Sequence, residues 1–195
     1  MFGKHKFFAF VIVICIQLAA ALFMPVRAMV IRSNGTPVSL QLAPVDPYDM
    51  LTGYSLTLSY KASRLDSYPG LGLKPKRGQT VFVVLRKGAG PVWNPEAMLD
   101  KRPAKLRADQ MVLKGTYDER DAGPGAYFGI ETLYIPEASR ERASQAISAF
   151  QTRSWQERSP GVVILPGDFA RADIAIDRLG NASLLRLHIG DVVFE

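Results

Sequence analysis

Cysteine is nearly missing from this chain: among 195 residues there is one, Cys15, inside an apolar N-terminal run. A lone thiol excludes an internal disulfide and a cysteine-based metal site, so the fold must be held by its core. Histidine is almost as scarce. His5 precedes the apolar run and His188 alternates with Leu187 and Ile189, a placement that gives neither a catalytic triad nor a zinc site. The sequence has no glycine-rich phosphate loop, internal repeat or low-complexity tract. A concentrated charge is also lacking. The net +6 is spread thinly, with Lys74, Lys76 and Arg77 near one loop and Lys101, Arg102, Lys105 and Arg107 near another. Nucleic-acid binding calls for basic residues on one face with aromatics between them. Scattered basic loops imply solvation and mild attraction to anionic lipid head groups instead, and no nucleic-acid partner.

What the chain has is one long apolar run. Phe7 to Met24 is interrupted only by Gln17 and the weakly polar Cys15. As a helix it rises about 27 Å, close to the roughly 30 Å of a bilayer core. Lys4, His5 and Lys6 precede it, so the positive-inside rule keeps the N-terminus cytoplasmic and exports the rest. Cleavage as a signal peptide after Ala28 is the alternative, with Val26 and Ala28 as the small residues and Pro25 as a helix breaker. The run exceeds the 7–15 residues of a usual signal core, which favours retention as a single-pass signal-anchor. The expected organisation is a cytoplasmic tail over 1–6, a transmembrane anchor over 7–24, a tether over 25–36 and one extracytoplasmic domain over 37–195.

Beyond the tether, period-2 alternation dominates. Val38, Leu40 and Leu42 share one strand face; Leu56, Leu58 and Tyr60 share another. Thr80–Leu85 is a continuous apolar run of the kind that forms a central strand. Met111–Tyr117, Tyr127–Ile135, Gly161–Leu165, Asp173–Asp177, Ser183–His188 and Val192–Phe194 read as further strands, with Arg178-Leu179-Gly180-Asn181 as a hairpin turn. Ala89–Arg107 reads as a loop with one turn near Pro95–Leu99. A single segment has helical period, Ala138–Phe150, with Ala143, Ala146, Ile147 and Phe150 on its apolar side. The expected fold is mainly β (β-rich α+β): one transmembrane helix and one compact sheet or barrel-like domain carrying one amphipathic helix.

Two stretches carry a recognisable pattern. Pro44–Tyr60 (PVDPYDMLTGYSLTLSY) supplies Pro44, Asp46, Pro47, Asp49, Leu51, Gly53, Leu58 and Tyr60; Tyr127–Glu137 (YFGIETLYIPE) supplies Phe128, Gly129, Ile130, Glu131, Pro136 and Glu137. Together they resemble the family named after its GDYxxLxY signature, small membrane-anchored bacterial proteins without an assigned activity. The Asp-Tyr of the signature is Tyr54-Ser55 here, so the name-giving acid is absent. The resemblance implies a possible multi-spanning membrane partner.

Read physically, Asp46 and Asp49 beside Pro44 and Pro47 suit a rigid turn whose carboxylates accept backbone N–H bonds. Gly53 permits a turn or bulge before the strand. Glu131, in an apolar strand, needs a partner such as Tyr60 or an arginine. The motif residues are therefore expected to be structural, with no catalytic set, metal or cofactor, and the protein to be a non-catalytic accessory or interaction protein. One alternative is an envelope hydrolase or metal-dependent enzyme using Asp46, Asp49, Glu131 and Glu137, which requires their carboxylates to converge. Signal-peptidase chemistry fails on the missing serine, since Ala43, Pro44 and Val45 precede the turn. A further alternative is a small ligand held in a barrel mouth, marked by a deep apolar pocket.

Overall fold

The computed structural model describes residues 3–43, 51–52, 55–65, 68, 75–120, 123–157 and 170–194. It opens with helix α1, Lys4–Asn34, which runs unbroken through Pro25. Residues 25–34, expected as part of a tether, are thus helical. Pro25 removes only one backbone donor, and the remaining N–H and C=O groups still gain most by pairing within the helix. The Gly35 amide closes the last turn on the Ile31 carbonyl at 2.8 Å.

Strand β1 (Thr36–Gln41) follows at once. Then come β2 (Leu51–Thr52) and β3 (Ser55–Thr57), β4 (Thr80–Lys87), β5 (Trp93–Leu99), β6 (Gln110–Arg120), β7 (Gly123–Tyr127) and β8 (Thr132–Tyr134). A short 3-10 turn leads into α2 (Arg140–Glu157), and β9 (Arg171–Ile176), β10 (Ala182–Ile189) and β11 (Val192–Phe194) end the chain. Eight strands form one curled sheet in the order β11-β10-β9-β1-β5-β4-β6-β7, and β2-β3-β8 form a second. The β-rich fold with one long apolar helix and one short helix is the one expected from the sequence. The segment from Tyr60 to Arg64 draws the curl together, because Tyr60 bridges to Leu42 and Arg64 to Gly125.

The alternation in the sequence decides which residues face inward. Val38, Leu40, Leu56, Val81, Val83, Leu85, Leu113, Ile174 and Leu187 are all buried in one core. At about 1.5–3 kcal/mol for each large apolar side chain removed from water, this core is the main source of stability. β4 is central, lying between β5 and β6. Ala143 of α2 is buried and Ala146 packs on the core; the side chains of Ile147 and Phe150 lie outside the described part. Gly161–Leu165 also lies outside the described residues.

Two expectations need correction. The stretch around Pro95–Leu99 is strand β5, not a turn in a loop. Proline is accommodated because the β4–β5 register shifts between Val84 and Leu85, so the missing N–H falls at a bulge. Tyr127–Ile135 is not one strand either. It breaks into β7 and β8 around Gly129, whose φ of +79° turns the chain.

Candidate functional site

The two motif stretches, some seventy residues apart in sequence, meet in space. β3 pairs with β8 in antiparallel register, Ser55 opposite Tyr134 and Thr57 opposite Thr132. The Leu58 amide then donates to the Glu131 carbonyl at 2.7 Å. Tyr60, fully buried, donates its hydroxyl to the Ile130 carbonyl at 2.7 Å. Its ring lies 6.4 Å from that of Phe128, tilted by 57°. Burial, and after it the nearby Glu131 charge, pushes the Tyr60 hydroxyl well above the usual tyrosine range.

Glu131 closes the turn between β7 and β8. One carboxylate oxygen accepts from the Phe128 amide at 2.5 Å and the other from the Gly129 amide at 2.8 Å. Its partners are thus backbone amides, not Tyr60 or an arginine. With both oxygens engaged, the half-buried carboxylate satisfies donors that the turn would otherwise leave unpaired. Pro136 and Glu137 lie elsewhere, exposed at the start of the 3-10 turn ahead of α2. Pro44, Asp46, Pro47, Asp49 and Gly53 lie outside the described residues. Among the described residues no group of three His, Cys, Asp or Glu side chains is placed to hold a metal ion.

A second polar cluster was not legible in the sequence as a unit. Ser39, Asp173 and His188 stand on the adjacent strands β1, β9 and β10. Each follows a buried neighbour, Val38, Ala172 or Leu187, so alternation sends it to the sheet's other face. Ser39 lies opposite Asp173 in the β1–β9 register and donates its hydroxyl to one Asp173 oxygen at 2.5 Å. The His188 Nε2 lies 2.8 Å from the other oxygen. Ser, His and Asp are all present, but in the wrong order for nucleophilic catalysis. The imidazole must stand between hydroxyl and carboxylate to take the serine proton, whereas here the carboxylate stands between. Ser39 thereby donates to a carboxylate, and the imidazole is held on that carboxylate's other oxygen.

This cluster borders a groove of about 620 Å³ whose lining includes Arg32, Ser39, Lys87, Trp93, Asp173 and Arg186. A second groove of about 400 Å³ brings Ala28 and Arg32 of α1 beside Gly129, Ile130 and Leu133. Arg32 and Leu185 border both. Leu185 is the extra residue where the β9–β10 register shifts between Leu184 and Arg186. The motif joint, the polar cluster and the C-terminal end of α1 therefore surround one region, whose lining mixes charged side chains with apolar ones such as Val38, Trp93 and Leu185.

A family model described as GDYXXLXY protein matches residues 17–187. No curated protein and no solved structure matches the chain.

Proposed function

The chain belongs to the GDYXXLXY family, and from that premise we propose that it is a non-catalytic accessory protein of the bacterial inner membrane. α1 anchors it, with the N-terminus in the cytoplasm, and the β-rich domain contacts other envelope components on the periplasmic side. One observation carries this reading. The most apolar 18-residue window of α1 has a mean hydropathy of 2.7, and the domain buries none of it. Phe7, Phe8, Phe10, Ile12, Ile16, Leu18, Leu22 and Phe23 are all more than half exposed. In water each would forgo about 1.5–3 kcal/mol of burial, a loss that lipid removes.

The polar clusters support the non-catalytic half. Glu131 is spent on two backbone amides and Ser39 is bonded to an acid, so neither is poised as base or nucleophile. Arg32, Lys87 and Arg186 outnumber the one carboxylate in the lining of the groove beside Ser39, which suits an anionic group, while a multi-spanning partner is what the family resemblance implies. Gln17, in the span, offers a hydrogen bond to a partner helix.

The test joins extraction to labelling. In a Cys15→Ala background, a cysteine placed at Asp191 should react with a membrane-impermeant maleimide in intact spheroplasts, and the protein should resist alkaline carbonate washing. Release by carbonate, or labelling only after lysis, would sink the anchored topology.

A further inference from the structure

We infer that the apex of the β9–β10 hairpin tip, exposed Arg178 and Leu179, is a second membrane contact, resting on the anionic phospholipid surface of the bilayer that α1 spans. The inference rests on the anchored reading of α1 above and adds a specific surface to it.

Position is the first argument. α1 does not leave the domain on a free linker: its last turns pack against β9 and β10. At the junction, a Cβ on Gly35 would lie 2.6 Å from the Ile31 carbonyl oxygen, 2.9 Å from the Ala175 Cβ and 3.0 Å from the Ile176 amide nitrogen. Helix and sheet are thus in direct contact there. β1 carries the chain away from the junction and β9 returns antiparallel, so Ile176 ends opposite Thr36, and the turn beyond it is pinned to β6, the Gly180 carbonyl accepting from the Lys114 amide at 2.7 Å. Ala28, two turns back from the helix end and next to Arg27, lines one groove with Ala182 and Ser183, the residues that follow the tip. The apolar run Phe7–Met24 rises about 27 Å, and Pro25 and Val26 carry the helix on to the roughly 30 Å of a bilayer core, which puts Arg27 at its boundary. The hairpin tip stands at that same level.

Chemistry is the second argument. Asp177 turns its carboxylate inward, accepting from the Leu179 and Asn181 amides and the Asn181 side chain, each at 2.8 Å. That leaves Leu179 at the apex, 64% exposed, with exposed Arg178 beside it. The Arg102 guanidinium donates to the Arg178 carbonyl, which brings the basic loop containing Lys101 and Arg102 to the same rim. An apolar apex ringed by cations at the depth of the head groups matches an anionic lipid surface: the leucine enters the acyl boundary and the cations meet phosphates.

The experiment uses the full chain in nanodiscs, with Cys15→Ala and an environment-sensitive fluorophore on a cysteine at Leu179. A matched probe at Asp191 is the control, since it lies at the opposite end of β10, about 26 Å away for eight strand residues. In discs containing phosphatidylglycerol, emission at 179 should shift to the blue and be quenched by head-group nitroxide lipid, while 191 stays water-like. Adding Lys101→Gln and Arg178→Gln should reduce the embedded population about fivefold for each charge removed. A water-like probe at 179 in chains that incorporate into discs overturns the contact and leaves the anchor standing. Equal shifts in purely zwitterionic discs overturn the anionic preference. Chains that fail to incorporate overturn the anchor and this inference together.

Discussion

Replacing Tyr60 by Phe isolates the bond that joins the two motif stretches. The ring stays, so the core keeps its volume and the contact with Phe128. Only the hydroxyl is lost, and the Ile130 carbonyl it met at 2.7 Å becomes an acceptor without that partner. Tyr60 has no exposed surface and Ile130 is 4% exposed, so water does not readily replace the lost donor. An unsatisfied buried acceptor costs about 1–3 kcal/mol. For a domain of this size each kcal/mol lowers the melting temperature by about 2–4 °C, so a central loss of about 2 kcal/mol lowers it by roughly 4–8 °C. The measurement is thermal unfolding of the full chain in one detergent, followed by circular dichroism. Tyr60→Leu should lose more, because the ring contact goes as well. The same bond sets an alkaline limb. The folded Tyr60 pKa is raised, by burial first and by Glu131 second. Its contribution is therefore complete below the unfolded value of about 10 and is lost as pH rises above it. The wild type should lose stability above about pH 10 more steeply than Tyr60→Phe. A Tyr60→Phe melt that superimposes on the wild type at neutral pH refutes the reasoning.

Two more outcomes follow from the geometry. Gly35→Ala places a Cβ against backbone atoms on two sides that cannot give way. It should cost about 1–3 kcal/mol and raise amide exchange at Ala175 and Ile176; unchanged exchange there would show that helix and sheet are not packed at this seam. Ser39 should not react with a fluorophosphonate probe, because its hydroxyl faces Asp173 and not His188. Labelling that vanishes in Ser39→Ala would reveal a nucleophilic serine and overturn the non-catalytic reading.

The fold class, the long apolar helix and the inward faces of the strands were legible in the sequence, because each rests on local composition or periodicity. Val38 and Leu40, or Leu56 and Leu58, face the core for the same reason that alternate residues of any strand share a face. Both motif stretches were visible too, but as separate signals. The two mistaken elements, Pro95–Leu99 and Tyr127–Ile135, fail where a bulge or a positive φ overrides the local pattern.

Pairing belongs to the tertiary structure alone. Nothing local tells Tyr60 that its hydroxyl will meet Ile130, or that Glu131 will turn back on Phe128 and Gly129 instead of seeking an arginine. Ser39, Asp173 and His188 come together only because β1, β9 and β10 lie side by side in one register, a fact set by long-range strand order. The level of the hairpin tip beside Arg27 depends on the same order. The sequence by itself determined which residues are apolar, which alternate and which helix is long and apolar enough to span a bilayer, since those are properties of short windows. Which surfaces meet was decided by the assembled sheet, because register and crossover are chosen by the whole core at once.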